Sequence, residues 1–106
     1  MPKYLLEARY TPEGAKGLLK EGGTKRLRAV EKALGSVGGK IEAAYFGFGK
    51  FDVYIIAEFP GPTNAAAASL AVNSTGLATV RTTVLLTAKE IDAATRKSVK
   101  YRGPGQ

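Results

Sequence analysis

Two carboxylates and one arginine, all in or beside strand-like stretches, are the side chains in this sequence best suited to chemistry. Asp52 and Glu58 flank the apolar run from Val53 to Ala57, and Arg81 lies in a later β-branched segment. A carboxylate can act as a general base when burial raises its pKa, and an arginine can hold an anionic substrate. Asp52 also follows a predicted tight turn, where its side chain can instead accept backbone N–H groups and fix the hairpin. We prefer that structural role for Asp52.

Histidine and cysteine are both missing from the 106 residues. Histidine is the usual general base near neutral pH and the commonest metal ligand, and cysteine supplies disulfides and thiolate metal sites. The composition therefore excludes Ser-His-Asp triads, zinc sites built on histidine or cysteine, and histidine-ligated haem. We expect no metal ion and no cofactor, and any catalysis would have to rest on other side chains.

The chain is strongly basic, with a formal net charge of +7. Six of its 16 Lys and Arg residues lie between Lys16 and Lys32, and four more lie near the C-terminus. A basic stripe can follow nucleic-acid phosphates, although a solvated helix face and a basic tail are the interpretation we prefer. The first residues do not resemble a secretory signal, and no apolar run approaches the roughly 20 residues of a membrane span. We expect a cytoplasmic protein with no membrane partner.

Strand and helix signals alternate along the first third of the chain. Lys3–Tyr10 is strand-like, and Thr11-Pro12-Glu13 is a strong helix start with an N-cap residue, a first-turn proline and a first-turn acid. The helix is interrupted at Gly22-Gly23, where Thr24 could cap its second part. Helical spacing predicts these inward side chains: Ala15, Leu18, Leu19, Leu27, Val30, Leu34 and Val37.

The rest of the chain contains three more strands and two more helices. The predicted ranges are strands over 40–48, 51–59 and 78–87, and a helix over 65–73. Gly49-Lys50 lies between the first two of these strands and predicts a hairpin whose turn glycine has a positive φ. Thr63 or Asn64 can cap the helix. Thr87–Glu90 forms a capping box that opens a short C-terminal helix.

The predicted order is β-α-β-β-α-β with an added C-terminal helix. Right-handed crossovers on a four-stranded antiparallel sheet give the ferredoxin-like α+β fold, with the helices on one face. A chain of this length commonly forms one domain. We assign residues 1–100 to that domain and residues 101–106 to a flexible tail.

Side chains alternate along a strand, so each predicted strand divides into two sets. The first set is apolar and should lie under the helices: Tyr4, Leu6, Ala8, Phe51, Val53, Ile55, Ala57, Val80, Val84 and Leu86. The second set is mixed: Leu5, Glu7, Arg9, Asp52, Tyr54, Ile56, Glu58, Arg81, Thr83 and Leu85. The mixed face can be plain surface, an interface with a second copy or the lining of a ligand pocket. We favour an interface with a pocket at its margin.

The segment Tyr45–Glu58 (YFGFGKFDVYIIAE) resembles the GYD family of small domains. The resemblance extends to these further motifs: Thr11-Pro12-Glu13-Gly14, Gly38-Gly39-Lys40, Gly49-Lys50-Phe51-Asp52 and Val80-Arg81-Thr82. It implies a ferredoxin-like fold related to the dimeric α+β barrels, in which open sheet faces meet, and it implies no enzyme activity. Phe51 occupies the position of the tyrosine in the family's name, so no phenol hydroxyl is present there.

The first functional hypothesis is a homo-oligomer, most simply a dimer, that binds a small molecule at its mixed sheet face. A concave, partly apolar surface with a few convergent polar groups is the usual form of a small-molecule site. If a ligand binds, we expect it to be small and anionic, held by Arg9 and Arg81 with hydrogen bonds from Tyr54 and Thr83. Alternatively, Arg9 and Arg81 neutralise Glu7 and Glu58, and no ligand binds.

Two other hypotheses come from different functional classes. The protein could be a cofactor-free enzyme on a small organic substrate, with Asp52 or Glu58 as the base and Arg81 holding an anion. It could also bind nucleic acid through Lys25, Arg26 and Arg28 of the basic helix. Acidic side chains on the mixed face would repel phosphate, so we expect no nucleic-acid partner there.

Overall fold

A four-stranded antiparallel sheet organises the fold in the computed structural model, which describes all residues from Met1 to Gln106. The strands are β1 (Lys3–Tyr10), β2 (Lys40–Phe46), β3 (Val53–Glu58) and β4 (Ala78–Leu85), in the spatial order β2-β3-β1-β4. The helices are α1 (Pro12–Glu21), α2 (Gly23–Gly35), α3 (Pro62–Asn73) and α4 (Ala88–Thr95). This arrangement confirms the predicted ferredoxin-like α+β fold. None of the four helices has the length and apolarity needed to cross a membrane.

Side-chain caps begin two of the four helices, both as predicted. The Thr11 hydroxyl accepts the backbone N–H of Gly14 at the start of α1. At α4, Glu90 N–H donates to the Thr87 hydroxyl and Thr87 N–H donates to the Glu90 carboxylate, which completes the capping box. Each cap satisfies donors that a helix N-terminus otherwise leaves without partners.

The other two helices begin without side-chain caps, so the predicted caps at Thr24, Thr63 and Asn64 are wrong. Gly22 separates α1 from α2 with a φ of 81°, and Gly61 precedes α3. The Asn64 side chain instead donates to the Val37 carbonyl at 3.0 Å, which ties α3 to the loop after α2.

The hairpin between β2 and β3 has a longer loop than predicted. β2 ends at Phe46 and β3 begins at Val53, and the loop between them is closed by the N–H of Gly47 donating to the carbonyl of Asp52 at 3.0 Å. Gly49 does not have a positive φ, so the predicted two-residue turn is wrong. With a loop of this length, no residue in it has to adopt the left-handed conformation of a tight turn.

The core lies between the sheet and helices α2 and α3. Its buried members are Tyr4, Leu6, Leu34, Val53, Ile55, Ala57, Phe59 and Ala65. The Tyr4 and Phe59 rings meet edge to face with centroids 5.6 Å apart. Central strands β1 and β3 therefore supply the floor of the core, as their predicted apolar sets require.

Several predicted core positions are exposed. On α1, Ala15 is exposed and Leu19 is 87% exposed, because this short helix contacts the body mainly through the buried Gly14 and the half-buried Leu18. Val84 and Leu86 are also more than half exposed: Val84 borders an open groove beside α3, and Leu86 lies past the end of β4.

Candidate functional site

The sheet face turned away from the helices, termed the open face, carries the mixed side chains. The strand registers align its residues in rows across β3, β1 and β4. The rows are Glu58–Lys3–Leu85, Ile56–Leu5–Thr83 and Tyr54–Glu7–Arg81. On β2, Ala43 lies beside Ile56 and Tyr45 beside Tyr54. Rows containing charged residues therefore lie on both sides of a row that is apolar except for Thr83.

At one end of the open face, three cationic side chains surround the ring of Phe51. The guanidinium carbons of Arg81 and Arg9 lie 5.4 and 5.9 Å from the ring centroid, and the Lys50 ammonium nitrogen lies 5.9 Å from it. The Tyr54 ring meets Phe51 edge to face, with centroids 6.2 Å apart. These five residues form the Phe51 cluster. The distances are within the range of cation–π attraction.

The prediction that Phe51 lies under the helices is therefore wrong. The alternation that places Val53 and Ile55 toward the core applies only within β3, and Phe51 precedes that strand. In the loop, its side chain turns to the open face and meets Arg9 and Arg81.

None of the three cations in the Phe51 cluster forms an ion pair with a carboxylate. The ion pairs of the structure are Lys3–Glu42, Lys16–Glu13 and Arg26–Glu21. Arg9 donates from two guanidinium nitrogens to the carbonyl of Lys50, with the Nε–O distance at 2.9 Å. The Arg81 side chain forms no hydrogen bond within the chain, although Glu7 is its neighbour on β1. The cluster thus has the donors and the positive charge to hold an anion.

Asp52 and Glu58, the two candidate bases, lie at opposite ends of β3. The Asp52 carboxylate accepts the backbone N–H of Tyr10 at 2.9 Å, and the Asp52 N–H donates to the Ala8 carbonyl at 2.8 Å. Asp52 therefore fastens the hairpin loop to the end of β1. Glu58 is six residues further along, about 20 Å at the usual rise of a strand. The two carboxylates cannot act on one small substrate together.

The far end of the open face has its own charged contact. Lys3 donates to the Glu42 carboxylate, which lies at an irregularity of the β2–β3 pairing between Ile41 and Ala43. The hydrogen bond and the negative charge of Glu42 raise the pKa of Lys3. Glu58, beside Lys3 in the register, forms no ion pair.

The sequence from β1 to α4 matches the model of the GYD domain over residues 4–95. The chain belongs to the GYD domain family. No individually curated protein matches it. The biochemical function of GYD domains is uncharacterised.

The structure brings together three of the four predicted ligand-binding residues of this GYD domain. Arg9, Tyr54 and Arg81 belong to the Phe51 cluster. Thr83 lies on the same face in the next row, opposite Leu5, and so borders the cluster. Successive residues on one face of a strand are about 7 Å apart, so a ligand of a few atoms could span Arg81 and Thr83.

Lys50 and Phe51 are the members of the cluster that the sequence alone does not reveal. Period-2 alternation predicts that Phe51 lies on the helix-covered face, and it predicts no face for Lys50. The observed register of β1 and β3 explains the position of both residues. Because Ala8 lies opposite Val53, the residues just before Val53 must reach the end of β1, where Arg9 stands.

The basic helix of this GYD domain is separate from the open face. Lys25, Arg28 and Lys32 are exposed on α2, whereas Arg26 is half-buried and lies 3.1 Å from the Glu21 carboxylate. No three His, Cys, Asp or Glu side chains come together as a metal-binding group.

Proposed function

We propose that this GYD domain is a homo-oligomeric binding protein that holds a small anion at the Phe51 cluster, beside an interface between two copies. The observation that carries the proposal is the meeting of Arg9, Lys50 and Arg81 around one aromatic ring with no carboxylate paired to any of them. Like charges held close together repel, so an arrangement of this kind is stabilised by an added negative charge.

A carboxylate or phosphate fits this environment best. The Arg81 guanidinium makes no hydrogen bond in the chain and can present two parallel N–H donors to such a group. The half-buried Tyr54 can add a hydroxyl donor, and the Phe51 ring restrains the cations by cation–π attraction. The electropositive loop around Lys50 would draw anions toward the site.

The proposed interface rests on the middle of the open face. Leu5, Ile56 and Leu85 are only half-buried in the single chain, and no helix covers them. A second copy set against this face would remove them from water and leave the charged ends at the rim. That distribution is the usual anatomy of an association surface.

Binding of phosphate and citrate can be followed on ¹⁵N-labelled protein at constant ionic strength. We expect saturable shifts of the amides of Arg9, Lys50 and Arg81, and a loss of affinity of about tenfold or more in Arg81→Ala. Arg28→Ala, which removes an exposed charge on α2, is the matched control and should bind as the native chain does. Equal weakening in both variants, or full binding in Arg81→Ala, would contradict a specific site.

The two alternative functions have less support from contacts. An enzyme using Asp52 as base would draw on a carboxylate that already accepts the backbone N–H of Tyr10 and holds the hairpin loop in place. A nucleic-acid module would use the exposed cations of α2, which have no aromatic side chain on that helix for bases to stack on. Neither has a feature comparable to the Phe51 cluster.

A further inference from the structure

A cavity lies between helices α2 and α3, on the side of the sheet opposite the Phe51 cluster. The two helices sit over opposite edges of the sheet, α2 against β2 and α3 against β4. The two helices therefore leave part of the central strands β1 and β3 uncovered. The space left above them, the interhelix cavity, has a volume of about 190 Å³. Leu6, Val53 and Ile55 form its floor, while Val30 and Ala68 stand on its two walls.

The small side chains of α3 explain why the cavity stays open. Ala68 and Ser69 face it where larger residues would reach across to α2. Twelve of its 15 lining residues are hydrophobic, so the space offers water few hydrogen-bonding partners. Lining atoms without neighbours lose dispersion contacts, which an apolar guest would restore. An apolar cavity of roughly 150 Å³ is enough to hold benzene in another protein.

The polar side chains of Tyr10 and Arg26 contribute to the same lining. The Tyr10 hydroxyl forms no hydrogen bond within the chain, and burial raises its pKa, so it is a donor at neutral pH. One guanidinium nitrogen of Arg26 lies 3.1 Å from a carboxylate oxygen of Glu21, and the other N–H donors of Arg26 remain available. The cavity thus joins an apolar interior to a pair of donors. One of them, Arg26, is paired with Glu21, and the Glu21 and Asp52 carboxylates both lie near enough to act on Tyr10.

We propose that the interhelix cavity binds a small carboxylic acid with an aromatic ring or short aliphatic chain. The apolar part lies on the floor formed by Leu6 and Ile55, and the carboxylate meets the donors of Arg26 and Tyr10. The volume limits the ligand to about one ring or a chain of six to eight carbons. This site is independent of the anion site at the Phe51 cluster, because the two lie on opposite faces of the sheet.

Benzoate and hexanoate are suitable probes, with toluene as the uncharged comparison. We expect benzoate to shift the amide resonances of Leu6, Val30 and Ala68 in ¹⁵N-labelled protein. Ala68→Leu adds three carbons to the cavity wall and should abolish these shifts while raising the melting temperature. Ala67→Leu, exposed on the same helix, is the matched control and should bind benzoate normally.

Two substitutions on α2 test the charged end of the interhelix cavity. Arg26→Gln should weaken benzoate binding about tenfold and leave toluene binding unchanged, because it removes one charge-assisted contact. Arg28→Gln, exposed on the same helix, should change neither. Binding of toluene without benzoate would overturn the assignment of an acid.

Other outcomes would overturn the cavity itself. Absence of shifts with all three probes, or benzoate binding retained in Ala68→Leu, would show that the space takes no ligand. If Ala68→Leu does not fold by circular dichroism, Val30→Phe fills the same space from the opposite wall. Failure of both variants to fold, with Ala67→Leu folded, would mean that the helices close over the sheet in solution. Shifts confined to Arg9, Lys50 and Arg81 would assign benzoate to the Phe51 cluster instead.

Discussion

At the scale of single residues, Gly14 allows α1 to pack closely against Leu77, the residue just before β4. A Cβ atom at Gly14 would lie 2.0 Å from the carbonyl oxygen of Leu77 and 3.1 Å from the Tyr10 ring. The same Leu77 carbonyl accepts the N–H of Thr11 at 3.0 Å and the Thr11 hydroxyl at 3.2 Å. The backbone of Leu77 is therefore held in place and cannot easily move away from a larger residue.

Gly14→Ala should therefore destabilise the protein by about 1–3 kcal/mol or more, even though alanine is the better helix former. Gly17→Ala on the same helix is the matched comparison, since nothing lies within 4 Å of a Cβ there. That variant should be stabilised by about 0.5–1 kcal/mol. Urea unfolding of the two variants measures both effects. A Gly14→Ala protein as stable as Gly17→Ala would show that α1 does not pack on Leu77 in solution.

The residues of the candidate site were predictable only where they lie in regular strands. Arg9, Tyr54 and Arg81 share a face because alternation in paired strands requires it, and the sequence shows that alternation. Phe51 and Lys50 lie in a loop, where no periodic rule connects sequence to side-chain direction. The centre of the cluster therefore depends on tertiary contacts that a sequence pattern does not encode.

At the scale of elements, helix starts were predictable where a side chain makes the cap. Thr11 and Thr87 have the right hydroxyl and are followed by the right first-turn residues, so their helices begin where predicted. Gly22 and Gly61 precede helices that lack such a signal, and the neighbouring polar residues Thr24, Thr63 and Asn64 cap neither helix. A glycine has no side chain to accept the first backbone N–H groups of the helix that follows. Those groups need other partners, which the sequence alone does not identify.

The α4 cap leads to a prediction about pH. Hydrogen bonds from Thr87, chiefly its backbone N–H, lower the pKa of Glu90 below its ordinary value of 4.5. Because the folded pKa is lowered, this cap is complete above the ordinary pKa and is lost as the pH falls through the lowered value. Carboxyl ¹³C titration of Glu90 should give a midpoint below 4.5, and the Thr87 amide should titrate with it.

Thr87→Ala provides the comparison for α4. It removes the hydroxyl that accepts the Glu90 N–H and keeps the backbone N–H, so the capping box is weakened and the Glu90 midpoint should move part of the way up toward 4.5. Every residue of α4 is exposed, so the melting temperature of the domain should hardly change. A native midpoint at or above 4.5 would show that the capping box does not persist in solution.

At the scale of the whole molecule, the chain is more extended than its length requires. Its radius of gyration is 16.8 Å, against roughly 13 Å for a compact domain of this size, and its longest dimension is 55 Å. Every residue from 86 to 102 is exposed, including the apolar side chains of Ile91, Val99 and Tyr101. Local sequence patterns predict α4 itself but not where it lies, because none of its residues is buried against the rest of the chain.

The uncovered open face makes Arg81 the most informative residue for assembly. Arg81 is exposed in the single chain, and Glu7 and Glu58 on the same face form no ion pair there. In the proposed dimer, Arg81 at the rim would meet a carboxylate of the second copy with part of its guanidinium and keep its other N–H donors for the anion. Arg81→Glu would then set like charges against each other across the interface, which costs several kcal/mol.

We therefore expect light scattering at micromolar concentration to give about twice the chain mass of 11.2 kDa for the native protein and the single mass for Arg81→Glu. Arg28→Glu makes the same change of charge on α2 and should remain a dimer, which separates a local contact from an effect of net charge. Combining Arg81→Glu with Glu7→Arg or Glu58→Arg should restore the dimer for whichever carboxylate is the partner. A native mass near 11.2 kDa, or a dimer unaffected by Arg81→Glu, would contradict association through the open face. Such a result would not contradict the anion site. The phosphate and citrate titration of Arg81→Ala tests that site separately, because this variant removes a charge without reversing it.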